Sequence, residues 1–238
     1  MNNRDAFFGA IAEVERFARA GHSPVLHLET HGDETGLQLA NGERIQWLEL
    51  AAPLASLNQA TAMNLTVFVA ACDGAHLISV LRPTGRAPAW AIIGPKESVS
   101  HEVIEEATKS FYVAFLSSPD LRTALEAMNA SVAIPDWRFR IEWAETMFCS
   151  VFKAYLREAG SDASVAQRVN SIAGRAGRDL QAGIKESITI RFDVQKVVGD
   201  HEARYAQYRR CFLMLDAFPE NAGRFTMTYD RCKRVQNL

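Results

Sequence analysis

The chain lacks most of the features that announce a function outright. Its 238 residues hold four cysteines, Cys72, Cys149, Cys211 and Cys232. They are too few and too widely spaced for a secreted disulfide scaffold, and none forms the Cys-x-x-Cys pair of a structural zinc site. No apolar run approaches the length of a membrane span. The first 21 residues, MNNRDAFFGAIAEVERFARAG, carry acids inside their apolar pattern and do not read as a secretory leader. The net charge of -2 and pI near 6.3 provide no overall attraction for nucleic acid. GRAGRDLQAG at 174–183 is glycine-rich, but it lacks the preceding strand and the Lys-Ser/Thr pair of a phosphate loop. A Gly-x-Ser-x-Gly nucleophile elbow is missing as well. Internal repeats and low-complexity tracts are also absent. The expectation is a protein of the reducing cytoplasm, without metal or cofactor, binding neither nucleic acid nor membrane directly.

What is present is a globular composition, 48% hydrophobic and 23% charged, on a chain long enough for one sizeable core or for a domain with a helical appendage. Phe7, Phe8, Ile11, Val14, Phe17 and Ala18 recur at helical spacing over residues 4–20, and Gly21 stops the pattern. PVLHLET at 24–30 then reads as a strand. Asn41-Gly42 between Leu37–Leu39 and Arg44–Trp47 marks a hairpin. Residues 48–60 read as a helix, with Pro53 placed near its first turn. TVFVAA at 66–71 is apolar throughout, as a central strand covered on both faces should be. AWAIIG at 89–94 is a second buried strand. A long helix follows through Val103, Ile104, Ala107, Phe111 and Phe115, then another over 120–130. Strands separated by helical crossovers predict an α/β core with a mostly parallel sheet over residues 1–136.

From about residue 137 the pattern changes. Phe148, Val151, Phe152, Tyr155 and Leu156 suit a helix ended by Gly160, and 162–182 is polar and helical. ITIRFDV at 188–194 alternates like a strand or extended edge. YAQYRRCFLML at 205–215 is an apolar helix or buried segment, and a turn and a final extended run follow. Residues 137–238 are therefore a mainly helical part that either completes the fold or forms an appendage. The arginines at 175–178, 204–210 and 231–234 are mixed with acids and aromatics and read either as a partner-docking face or, foremost, as a solvated one.

Two short stretches carry the chemistry. HLETHGDETG at 27–36 passes from an apolar run to His31-Gly32, and VFVAACDGAH at 67–76 runs into Cys72. A thiol attacks a carbonyl only as a thiolate, so it needs an imidazole to take its proton and return it to the leaving amine. Strands of a parallel sheet share a carboxyl edge, so neighbouring strand ends can bring His31 and Cys72 together there. The backbone amides of Gly32 and Cys72 would then hold the oxyanion. Asp33 and Glu34 either orient His31, contact substrate or sit in a solvated turn. Asp73 lines a substrate pocket, docks a partner or, foremost, caps the following helix. His76 is a competing base. His27 reads as an ordinary strand side chain, while His101 and His201 read as surface residues. Cys149, Cys211 and Cys232 read as structural.

HLETHGDETGLQLANGERIQWLEL followed by LTVFVAACDGAHL resembles the caspase-like superfamily of cysteine peptidases. It is most similar to the bacterial CHAT-domain branch, which includes separase-like proteases. The His-Gly motif is His31-Gly32, and the Ala-Cys-x-Gly motif is Ala71-Cys72-Asp73-Gly74. AWAIIGPKESVSHEVIEEATKSFYVAFLSSPDLRTALEAM resembles the family's next strand and helices, so the likeness spans about residues 24–130. The resemblance implies a caspase-like sheet, a His31 base, a Cys72 nucleophile and oxyanion roles for the Gly32 and Cys72 amides. It further implies hydrolysis of a protein or peptide substrate through an acyl-enzyme, in bacterial defence or regulated cell death. The alternative is a catalytically silent module that docks a regulatory protein partner. Family domains place at least one core strand ahead of the histidine strand, and only a helix precedes it here, so the sheet is expected to be N-terminally shortened. Relatives that cut after Arg or Lys have an acid two residues before the nucleophile, a position held here by Ala70. Basic specificity is therefore not implied by that position.

Overall fold

A strand flanked by other strands and covered on both faces must bury every residue, and TVFVA is that strand. In the computed structural model it forms β5 (Thr66–Ala70), with all five residues buried. The structure describes residues 3–95, 97–133, 139–159 and 200–235, and four isolated positions, 164, 166, 167 and 171. Apart from those four positions, the polar helix expected over 162–182 lies outside the described residues. So do the strand expected at 188–194, Gly160 and the arginines at 175–178.

In chain order the elements are α1 (Arg4–Arg19), β1 (Val25–Glu29), β2 (His31–Asp33), β3 (Gly36–Gln38), β4 (Arg44–Gln46), α2 (Trp47–Ala60) and β5. A 3-10 helix at Gly74–Val80, β6 (Ala91–Pro95), α3 (His101–Ser117), α4 (Leu121–Ala130), β7 (Phe139–Trp143) and α5 (Ala144–Ala159) follow. After the undescribed stretch come α6 (His201–Phe212), a 3-10 helix at Pro219–Arg224 and α7 (Tyr229–Arg234). The main sheet has the order β1-β5-β6-β7, with β1, β5 and β6 parallel and β7 antiparallel to β6. A smaller antiparallel sheet, β2-β3-β4, springs from the end of β1.

Alternation along β5 and β6 sorts the core into two layers. Val67, Val69, Ala71 and Ile92 face a cluster built with Phe7, Leu50, Leu54, Phe148 and Phe212. Phe68, Ala70, Ala91 and Ile93 face a second cluster with Ile104, Phe111, Met128 and Phe139. The result is an α/β protein whose mixed, mostly parallel four-stranded sheet lies between helical layers. Each large side chain shut into it contributes about 1.5–3 kcal/mol relative to exposure. Local signals set the helix starts. Asn3 accepts from Ala6 N at 2.8 Å, Asp120 from Thr123 N at 3.0 Å, and the Glu49 carboxylate accepts from Gln46 N at 2.8 Å.

Four details differ from expectation. The sheet's last strand, β7, falls at 139–143, where no strand was expected; its FRIEW pattern is only half-buried and lacks a strong strand signature. Pro53 sits well inside α2 and not in its first turn. It takes one hydrogen bond from the helix, and tertiary packing of Leu50, Leu54 and Leu57, all fully buried, outweighs that loss. The final run is not extended: Thr228 caps α7, its hydroxyl accepting from Arg231 N at 3.3 Å. Cys149 on α5 and Cys232 on α7, both buried, form a disulfide with Cα atoms 5.2 Å apart. The residues are 83 apart in sequence, so only the folded chain brings them together. No helix among the described residues is long and apolar enough to cross a membrane.

Candidate functional site

Register places the two stretches side by side. β1 and β5 pair from Val25–Thr66 through His27–Phe68 to Glu29–Ala70, and Thr30 N donates to Ala70 O at 3.5 Å. His31 and Cys72 each lie two residues past that last pair. Beyond it the chains part. The first turns into β2, and Thr30 Oγ1, donating to the Gln38 carbonyl, ties the turn to β3. The second enters the 3-10 helix through Asp73, whose φ of 57° and ψ of 23° are left-handed. Aspartate tolerates that conformation better than most side chains.

Two glycines make this junction. A Cβ on Gly32 would stand 2.6 Å from the Cys72 carbonyl oxygen and 3.1 Å from Ala71 Cβ, so β2 lies against the Cys72 turn only because residue 32 has no side chain. A Cβ on Gly74 would meet Val69 Cγ1 at 2.8 Å, and its absence lets the turn fold back onto β5.

The junction opens into a cleft of about 900 Å3. His31 and Cys72 both line it, His31 exposed and Cys72 half-buried. The Cys72 thiol donates to the Val99 carbonyl at 3.7 Å. His27, Glu29 and His101 line the same cleft. His27 stacks on Phe68 with ring centroids 4.7 Å apart, its Nδ1 lies 3.0 Å from the Tyr112 hydroxyl, and its Nε2 is 3.7 Å from Glu29 Oε2. Burial lowers the His27 pKa below the usual imidazole range, against an opposing pull from Glu29. Burial also raises that of Tyr112. His27 is therefore a neutral, packed ring at pH 7.

Comparison with known proteins returned no matching family model, curated protein or solved structure. Roles for these side chains rest on their geometry.

The other sequence candidates separate. Asp33 is bound up in the small sheet: Oδ1 accepts from Thr35 N at 2.8 Å and Thr35 Oγ1 at 2.7 Å, and Oδ2 pairs with Arg44 Nη2 at 2.5 Å. Those hydrogen bonds, from Thr35 first and Arg44 next, hold its carboxyl well below the usual range. Neither Asp33 nor Asp73 lines the cleft, and Glu34 is an exposed turn residue outside it. Asp73 holds the capping position, yet its side chain caps nothing, because a left-handed backbone at this position replaces the extended one that lets a cap reach forward. His76 faces a separate cavity of about 450 Å3, together with Ser79, Arg82 and Glu97. It does not line the cleft that Cys72 lines. His101 opens α3 as an exposed residue but sits at the cleft. Val99 and His101 follow the end of β6, so the shared-edge reasoning used for His31 and Cys72 reaches them too. Phe7, from α1, had no such signal. Among the described residues no group of three His, Cys, Asp or Glu side chains is arranged to hold a metal.

Proposed function

We propose that the protein is a caspase-like cysteine hydrolase of peptide bonds, with Cys72 as nucleophile and His31 as base. One observation carries the reading. His31 and Cys72 sit two residues past the same register pair of adjacent parallel strands, at the mouth of one cleft. His31 takes the thiol proton, and Cys72 Sγ attacks the scissile carbonyl carbon. The carbonyl oxygen collects the charge opposite the Gly32 and Cys72 amides; the 2.6 Å and 3.6 Å approaches of a Gly32 Cβ to Cys72 O and N support their adjacency. His31 returns the proton to the leaving amine as the C–N bond breaks. Water, deprotonated by His31, then hydrolyses the thioester and restores the thiol.

The alternative, a catalytically silent caspase-like module that docks a regulatory protein partner, is favoured by one contact: the thiol's hydrogen bond goes to Val99 O and not to an imidazole. A quenched-fluorescence peptide library separates the two readings. Cys72→Ala and His31→Ala should each abolish turnover, and iodoacetamide should label Cys72 ahead of Cys211. Turnover that survives Cys72→Ala would eliminate the hydrolase.

A further inference from the structure

The cleft has an unusual wall. Five consecutive residues of the first stretch, His27 to His31, all line it. Side chains on a strand alternate between faces, so a cavity above one face of a sheet is lined by every second residue. A cavity lined by consecutive residues runs along the strand's edge, in the plane of the sheet. Its flanks agree. Phe7 and Leu39 belong to one core layer, and Val99 and Ile104 belong to the other. The groove thus straddles the sheet, with a helical layer above and another below. Among the described residues, β1 has no partner on this side.

The backbone is set to receive one. In a parallel ladder a residue directs both its N–H and its C=O to one neighbour, and the next residue directs both to the other side. Thr30 N donates to β5, so by alternation Leu28 and Leu26 also face β5. His27 and Glu29 then turn their N–H and C=O groups toward the groove, and Val25, beyond its lining, turns its own to the same side of β1. An open edge between two apolar flanks is a template for a further strand.

We infer that the groove binds an extended peptide segment as a fifth strand against β1, leading its chain past His31 to Cys72. This rests on the hydrolase reading for what happens at Cys72, and not for the pairing itself. The occupant is a short peptide strand because the slot is about 900 Å3, the size of a ligand site and far below that of a packed domain. It is apolar on both faces, to meet Phe7 and Leu39 on one side and Val99 and Ile104 on the other. It is not acidic, because Glu29 is the one carboxylate among the lining residues, and no lysine or arginine lines the groove among the described residues.

A randomised decapeptide phage library panned against the Cys72→Ala chain supplies the probe. The best selected peptide is then N-methylated at each residue in turn and its affinity measured by calorimetry. A strand directs N–H groups to β1 at every second residue, so affinity should fall about tenfold at alternate positions and little between them, as expected when one backbone acceptor is left unpaired. Glu29→Pro, which deletes an outward N–H while leaving the bonds to β5, should weaken the same peptide about tenfold with an unchanged melting temperature. Failure to select any peptide, or an N-methyl scan without a two-residue period, would overturn the inference. Periodic binding to Cys72→Ala alongside turnover that is indifferent to that substitution would sink the hydrolase reading and leave the docking groove standing.

Discussion

Replacing Gly32 by alanine tests the junction on which the site depends. The new Cβ would sit 2.6 Å from the Cys72 carbonyl oxygen, about 0.8 Å short of the 3.4 Å where ordinary van der Waals contact begins. The obstructing atom is backbone, so no side-chain rotation relieves it; β2 and the Cys72 turn must move apart by most of that deficit. Overpacking of this kind costs about 1–3 kcal/mol, and for a chain of this size each kcal/mol lowers the melting temperature by about 2–4 °C. The catalytic consequence should be larger. On the proposed roles, separating His31 from Cys72 by about 1 Å should lower the rate on the order of a hundredfold. Urea unfolding followed by tryptophan fluorescence reads the first effect, since Trp47 is buried and its Nε1 donates to Asp33 O at 3.0 Å, next to the junction. Peptide turnover, or the rate of Cys72 alkylation, reads the second. Gly9→Ala is the internal control, because a Cβ there meets nothing within 4 Å and should stabilise α1 by about 0.5–1 kcal/mol. A Gly32→Ala protein that matches the parent in both stability and thiol reactivity would refute the apposition of β2 and Cys72.

Asp33→Asn should lower the melting temperature at pH 6 by loosening the β2–β3 turn and its contact with Arg44. The folded carboxyl is more acidic than the unfolded value of 3.8, so its stabilisation is complete above that pH and is lost as pH falls. The difference from the parent should therefore vanish in strong acid, and a difference that persisted there would mean the charge is not the cause. His27 gives the opposite kind of test. Its folded pKa lies below the ordinary imidazole value of 6.5, so the unfolded chain binds the extra proton first and stability falls as pH drops through that value. Thermal melts from pH 7.5 to 5 should show this slope in the parent and a shallower one in His27→Gln; parallel profiles would rule out His27 as a source. Thiol titration of the unreduced, denatured chain should find two reactive cysteines, Cys72 and Cys211, and a count of four would rule out the Cys149–Cys232 bond.

Much of the fold was readable because its signals are local. The α1 stripe, the uninterrupted apolar β5, Asn41-Gly42 and the start of α4 at Asp120 each follow from side-chain periodicity or capping within a few residues. The position of Pro53 was misread for the complementary reason: the three buried leucines that keep α2 intact act through packing, which a helix-start rule does not see. β7 was missed because its half-buried FRIEW pattern is shaped by pairing with β6 at one edge and by Trp90 against Trp143, ring centroids 5.0 Å apart.

The same division runs through the site. His31 and Cys72 stood out as candidates in the sequence because each closes a strand-like run with a glycine close behind it, Gly32 and Gly74. The sequence also marked β5 as central. Only the tertiary structure decided where these side chains lie. Register put His31 and Cys72 at equal distances past one pair, Thr35 and Arg44 drew Asp33 away into the small sheet, and the 3-10 turn sent His76 to another cavity. Alternation along a strand can be read from sequence, but strand order cannot, and strand order is what puts β1 at the edge of the sheet, without a second partner among the described residues.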